Sequence, residues 1–374
     1  MRFHPGPEVV AATRAALKAV TARRARARGG VSLTLGDAAY DLMARAGVGA
    51  DAEVFEAEHA AAAEYAAACS SAASASASGS DDDRGGLAVK VQSAPLAAWE
   101  WVVSRRLRAR VSAWDAPGVV FPEALHLVGG RRERAATAEL GVLVMPFGEH
   151  GTLQDVINSY LCVGSRMDEV LVMYYAIELL RAMEAVHAAG VLHADVKPDN
   201  LIVRNGGEDW CDWAPHRPGA WKKKGLALID FGRAVDLAEY PANATFVGDV
   251  MTEGFRCAEM TEGRAWTFQC DLHQIAATVH CLLHGKYMTV SRRGGGKVRP
   301  REPLKRYWRT DLWDAFFDET LNGETRRLDD PPPLGNLRRM FEAYLSADGL
   351  GPKIRALLMQ QTIDMYEQVR KAEA

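Results

Sequence analysis

The strongest regularity in the chain is helical. Ala176, Leu179, Leu180, Met183 and Val186 recur at i, i+3, i+4, i+7 and i+10, and Leu272, Ile275, Ala276, Val279, Leu282 and Leu283 repeat that stripe ahead of Gly285, the spacing of helices with one face in a core. Earlier in the chain the period shortens. YDLMARAGVGADAEVFEAE alternates in short runs around a glycine cluster, and LAVKVQ is a compact apolar run, so both predict strands. A helix is expected near Leu96 to Leu107. The pattern predicts an α+β protein with a small β-rich amino-terminal lobe, a larger α-helical carboxy-terminal lobe and a cleft between them suited to a small ligand.

Two stretches break the pattern. Residues 1–37 carry seven basic side chains (Arg2, Arg14, Lys18, Arg23, Arg24, Arg26 and Arg28) against Glu8 and Asp37, which reads as a basic helix and linker, a solvated extension packing on the domain behind it. A nucleic-acid or nuclear-import patch is the alternative. From Ala60 to Gly86 the chain holds eleven Ala and six Ser, too simple a composition to supply packed core, and is read as a loop insertion. The expected organisation is a 1–37 extension, a 38–148 lobe interrupted by 60–86, and a 149–374 lobe interrupted by 206–225.

Composition narrows the classes. The 374 residues are 48% hydrophobic and 25% charged, values typical of a soluble globular protein. Forty-five Lys and Arg against 48 Asp and Glu give a net charge of -3, which supplies no global field for nucleic acid or an anionic membrane. The six cysteines form no CxxC pair, which argues against a disulfide framework or zinc module and for a reducing intracellular compartment. The first residues lack the apolar core of a secretory signal, and no transmembrane segment is expected.

The chemistry concentrates in one region. His193-Ala194-Asp195-Val196-Lys197-Pro198-Asp199-Asn200 is followed by a strand at Leu201-Ile202-Val203 and then by LALID with Asp230-Phe231-Gly232. Phosphoryl transfer needs an oriented hydroxyl, magnesium on hard oxygen ligands and neutralisation of the transferring group. Asp195 suits acceptance of the hydroxyl proton, Lys197 the γ-phosphate, and Asn200 with Asp230 the metal. Turn residues capping helices would explain one Asp or Asn, not the ordered set.

These strings, with AVK downstream of a glycine-rich turn, resemble the eukaryotic protein-kinase signature set. The resemblance implies ATP and Mg²⁺ as cofactors. It makes Gly47 to Val54, with Gly47 and Gly49, the phosphate-covering loop, departing from the pattern at Ala52, where a third glycine is usual. Lys90 becomes the residue contacting the α- and β-phosphates and pairing with Glu100. Met145 resembles the gatekeeper and Pro146-Phe147-Gly148 the hinge, where the Pro146 carbonyl and Gly148 amide meet adenine, with Val54, Ala88 and Ile202 forming its apolar slot. Thr252 would bond Asp195 and Lys197, Glu259 would form a buried ion pair with Arg355, and Asp271 would cap the catalytic-loop backbone. Ala194 replaces an arginine that elsewhere receives an activation-loop phosphate, so the segment Arg233 to Met251 is expected to be ordered by its own packing.

Trp99-Glu100-Trp101, GTLQDVI, GLALIDFGRAVDL, EGFRCAEM, IAATVHCLLHGKYM and KIRALL sharpen the likeness to the Bub (budding uninhibited by benzimidazoles) family of mitotic checkpoint kinases, over roughly Ala39 to Met365. That resemblance implies a monomeric serine/threonine kinase domain acting on protein substrates, a core-histone tail among them. Its checkpoint and kinetochore partners place it in the nucleus and cytoplasm and at the kinetochore; the family's long amino-terminal scaffold is not in this chain. Two rivals are a pseudokinase scaffold of the same family, disfavoured by the complete set Lys90, Glu100, Asp195, Lys197, Asn200 and Asp230, and a small-molecule kinase, disfavoured by Lys197-Pro198 and the segment Thr252 to Glu259. His193 is expected to pack on Phe231 and bond backbone rather than ligate metal. Trp210, Trp213, Trp221 and Lys222-Lys223-Lys224 are read as a self-packed surface loop, and Cys270 and Cys281 as core.

Overall fold

The computed structural model describes residues 1–4, 6–22, 30–49, 51–60, 86–129, 138–207, 211–249, 254–292 and 296–373. The chain divides into two compact units, Met1–Arg106 with Val120–Glu149, and Leu107–Val119 with His150–Ala374. Among the described residues no helix is long and apolar enough to cross a membrane.

The first unit is built on a seven-stranded sheet: β1 (Arg2–His4), β2 (Val31–Leu35), β3 (Ala38–Val48), β4 (Ala52–His59), β5 (Leu87–Ser93), β6 (Ala124–Val128) and β7 (Leu140–Pro146), in the order β1-β6-β7-β5-β4-β3-β2. All pairings are antiparallel except β1 with β6. The sheet curls until its ends meet: Arg2 pairs with Asp37, and the Tyr40 hydroxyl on β3 lies 3.0 Å from His126 Nε2 on β6. Strand alternation separates two cores. Leu87, Val89 and Val91 join Leu33, Leu35, Phe55 and Val142 on one face, while Ala88, Leu143 and Met145 face Ala94 and Ala97 of helix α2 (Ala94–Arg110) on the other.

The helix within residues 1–37, α1 (Pro7–Ala22), sets Val10, Ala16, Leu17 and Val20 into the first core with Thr13 buried beside them, and β1 and β2 form the two edges of the sheet. On the outward face of α1, Arg14 and Lys18 stand exposed. The second boundary shifts, since Leu107–Val119 belongs to the second unit. Within the expected 60–86 insertion, residues 61–85 lie outside the described residues.

The second unit is mainly helical: α3 (Leu153–Cys162), α4 (Glu169–Ala188), the single turn α5 (Ala258–Thr261), α6 (Gln269–His284), α7 (Thr310–Asn322), α8 (Leu334–Ala347) and α9 (Gly351–Glu373). Both helical stripes lie where the periodicity puts them, in α4 and α6, and Gly285 closes α6 at φ 64°, the left-handed cap that glycine adopts without steric cost. Two short ladders carry the site: β9 (Leu201–Asn205) with β10 (Lys224–Leu228), and β8 (Val191–Leu192) with β11 (Val235–Asp236).

The segment between β9 and β10 packs on itself and also becomes core. Trp221 is buried edge-on against Tyr174 of α4, at 5.8 Å between ring centroids, and its Nε1 donates to the Cys211 carbonyl at 2.9 Å. Lys224, 1% exposed, donates to Asn205 Oδ1 and to the Gly206 and Gly207 carbonyls. Trp213 is buried as well, while Trp210 lies outside the described residues. Cys270 and Cys281 are core, as expected.

The expected Glu259–Arg355 pair does not form. Glu259 pairs with Arg264 at 3.4 Å, and Arg355, its side chain 39% exposed, pairs with Asp212 at 3.1 Å. On α9 the inward face runs through Ile354, Leu358 and Gln361, and Arg355, one residue on, is turned about 100° away from Ile354.

Two outcomes follow for denaturant unfolding. Trp221→Ala should cost about 3–5 kcal/mol, through a cavity beside Tyr174 and a stranded Cys211 carbonyl; a loss near zero would place this segment outside the core. Arg355→Ala should change stability by no more than about 1 kcal/mol, whereas a buried ion pair would show several times that.

Candidate active site

In the first unit, the alternation that sends Val89 and Val91 into one core turns Ala88, Lys90 and Gln92 to the face of α2. The helix can approach closely because β7 offers Gly141: a Cβ there would lie 2.1 Å from that of Ala97. Glu100, one turn after Ala97, is thereby brought to the strand. Its Oε2 accepts from Lys90 Nζ and Gln92 Nε2, each at 2.8 Å, and all three side chains are buried. The Lys90–Glu100 pair read from sequence is present. Gln92 was missed, although its place two residues beyond Lys90 on the same strand face is a legible signal.

Val54 packs on the cluster that holds Ala88, Leu143 and Met145, so the predicted slot residues of this unit share the Lys90 face. Gly47 and Gly49 flank the β3–β4 turn. A Cβ on Gly47 would meet nothing within 4 Å, and one on Gly49 only the Ala52 carbonyl at 3.6 Å; neither glycine has a positive φ. The protein's own packing therefore does not demand glycine at either position. Pro146 ends β7, and the Phe147 amide donates to the Gly86 carbonyl at 2.8 Å.

In the second unit, Asp195 is 5% exposed and its Oδ2 accepts from Lys197 Nζ at 2.8 Å and Asn200 Nδ2 at 3.1 Å; Asn200 also donates to the Asp195 carbonyl at 2.8 Å. Three of the predicted residues thus meet on one carboxylate. Asp230 stands two residues past β10, in the left-handed region at φ 65°, with its carboxylate accepting from the Gly232 amide at 3.4 Å. Ile202 pairs with Ala227 in the β9–β10 ladder. Thr252 lies outside the described residues.

The loop bearing Asp195 is strapped to α6. Asp271 accepts from the His193 amide at 2.9 Å, the Ala194 amide at 2.7 Å and His187 Nε2 at 2.9 Å. A carboxylate only accepts, so His187 carries its proton on Nε2. Burial opposes ionisation of Asp271, but its hydrogen bond and electrostatic interaction with His187, with smaller contributions from His193, more than offset it and hold the carboxyl below its ordinary range. His193 packs on Phe231 at 4.7 Å between centroids and donates Nε2–H to the Ile229 carbonyl at 3.0 Å, the structural role expected of it. In the following segment, Asp236 is buried and takes a bidentate hydrogen bond from Arg110 at 2.7 and 3.2 Å, and Phe246 bridges to Trp266.

Among the described residues no three His, Cys, Asp or Glu side chains gather as a metal-binding group. The amide oxygen of Asn200 and the carboxylate of Asp230 are hard donors of the kind magnesium takes, one or two from protein with the rest from water and phosphate. The donor set therefore fits that ion.

A protein kinase domain model matches residues 133–302. The mitotic checkpoint serine/threonine-protein kinase BUB1 of Arabidopsis thaliana is 40% identical over 285 residues, covering 75% of this chain and 52% of the relative. The spindle assembly checkpoint serine/threonine-protein kinase BUB1 of Saccharomyces cerevisiae is 28% identical over 269 residues, covering 69% and 25%. The chain thus spans about half or less of these curated relatives. Among solved structures, the BubR1 kinase domain superposes with a TM-score of 0.72 at 22% identity, covering 96% of this chain and 98% of that one; at this identity the likeness speaks for the fold.

Asp271 makes stability pH-dependent in a definite direction. Its folded carboxyl titrates below the unfolded one, so its contribution is complete above the unfolded value and is lost as pH falls through the folded value. Asp271→Asn should cost about 1–3 kcal/mol at pH 7, and the gap from wild type should narrow in acid. A gap constant down to pH 3 in thermal melts would contradict this.

Proposed function

We propose that this chain, which belongs to the Bub family of mitotic checkpoint kinases and corresponds to its kinase-domain part, transfers the γ-phosphate of ATP to serine and threonine hydroxyls of proteins. The observation that carries the reading is the Asp195 carboxylate held between Lys197 and Asn200 on a loop strapped to α6. An aspartate fixed in this way suits acceptance of a hydroxyl proton, and an ammonium group beside it suits charge on a transferring phosphoryl group. Catalysis of this kind is almost wholly positioning and electrostatics.

The other residues take the roles their chemistry allows. Asn200 and Asp230 would hold Mg²⁺, which would supply neutralisation of charge on the phosphates. Lys90, braced by Glu100, would meet the α- and β-phosphates. Gly47 and Gly49, whose missing side chains the fold itself does not require, would admit backbone amides to the phosphates. Val54, Ala88, Met145 and Ile202 would line the adenine slot, with the Pro146 carbonyl and Gly148 amide at its polar edge, and Thr252 would bond Asp195 and Lys197. We further propose a monomeric domain acting in the spindle checkpoint at kinetochores, in nucleus and cytoplasm, with a core-histone tail among its substrates.

Asp195→Asn keeps shape and removes the proton acceptor. Transfer of labelled phosphate to a protein substrate should fall about 10²–10⁴-fold with the melting temperature nearly kept. A rate equal to wild type refutes the role. Wild-type protein that binds ATP yet labels no protein is a scaffold, and one that labels only a small alcohol is a metabolite kinase.

A further inference from the structure

Asp195 is held by more than its own side-chain partners. Gln274, fully buried on α6, reaches the backbone on both sides of it: Oε1 accepts from the Val196 amide at 2.8 Å and Nε2 donates to the Ala194 carbonyl at 3.2 Å. Asp271 stands three residues earlier on the same helix and holds the His193 and Ala194 amides, the spacing that puts two side chains on one helix face. The Asp195 amide meets His193 Nδ1 at 3.3 Å and its carbonyl accepts from Asn200. Each peptide adjoining Asp195 is therefore tied at a named atom, and Gln274 holds both, through the Val196 amide after it and the Ala194 carbonyl before it.

The arrangement has a conformational cost. Ala194 lies at φ 60°, in the left-handed region where a Cβ is strained. Both of its polar backbone groups are gripped in that state, the amide by Asp271 and the carbonyl by Gln274. A buried amide that spans a strained residue and the peptide beyond the next does more than fill space: it selects the backbone dihedrals that aim the intervening side chain.

We infer that Gln274 is a positioning residue for Asp195, locking Ala194 in its left-handed conformation and the Val196 amide in place so that the carboxylate is presented to the acceptor hydroxyl. The inference rests on the phosphotransfer reading above. Gln274 touches neither substrate nor nucleotide in this role, so its effect belongs to kcat.

The test is steady-state kinetics of Gln274→Met, which keeps length and removes both polar atoms. Gln274→Asn, an amide one methylene short, covers the case in which methionine does not fold. Either variant should lower kcat about tenfold to a hundredfold, with KM for ATP and for protein substrate within about twofold of wild type. Gln361→Met is the control for losing a buried amide, since Gln361 donates to the Tyr175 hydroxyl at 2.7 Å; it should lower the melting temperature and leave kcat unchanged. In an Ala194→Gly background, where positive φ carries no steric cost, the kcat penalty of Gln274→Met should shrink severalfold. Wild-type kcat in both Gln274 variants overturns the inference, as does an equal fall in Gln361→Met or a penalty undiminished by glycine. Wild-type protein with no transferase activity overturns the phosphotransfer reading itself, a separate result that removes the inference with it.

Discussion

The second unit depends on one fully buried carboxylate. Asp271 sits on α6 with no exposed surface, so its charge must be compensated inside the protein. His187 comes from the last turn of α4, and the His193 and Ala194 amides come from the loop after β8. Two helices and a loop remote in sequence are thus joined at one pair of oxygens. Were any of these donors misplaced, a buried acceptor would be left unsatisfied, which costs more than a typical hydrogen bond contributes. The same demand explains why the strained backbone at Ala194 persists, since relaxing it would unpair groups that water cannot reach.

The first unit solves an analogous problem by close approach. Lys90 and Glu100 are charged side chains inside a core, tolerable only as a hydrogen-bonded pair, and Gln92 supplies a further donor. What lets the pair form is the absence of a side chain at Gly141, which allows α2 to rest on β7 with Ala97 against the strand backbone. A small residue facing a small residue fixes the distance, and the helical repeat then delivers Glu100 one turn later.

Charge counts say little about an element where packing governs. Residues 1–37 carry seven basic side chains, yet α1 sets Val10, Ala16, Leu17 and Val20 into the first core and leaves Arg14 and Lys18 on its outward face. Lys224, the first residue of β10, is surrounded by three oxygens, and Trp221 just before it lies against α4. A lysine run there reads as surface only until its third member meets carbonyl groups that need a donor.

The sequence by itself determined what depends on short spacing. Period in hydrophobic positions indicated the type of α4, α6, β3, β4 and β5. The run from His193 to Asn200 fixed which side chains meet around Asp195, because five residues of loop leave Lys197 and Asn200 within reach of it. Asp271 as the cap and His193 as a packing residue came from the protein-kinase resemblance and not from spacing. Tertiary structure alone decided the partners whose choice turns on helix phase and on which elements adjoin: Gln274 to the loop, Arg110 to Asp236, Arg355 to Asp212 instead of Glu259. A helix rotates about 100° per residue, so a pairing guessed across a hundred residues fails when one position points outward. Only the packed faces of both elements specify that angle, which is why local order was legible and long-range contact was not.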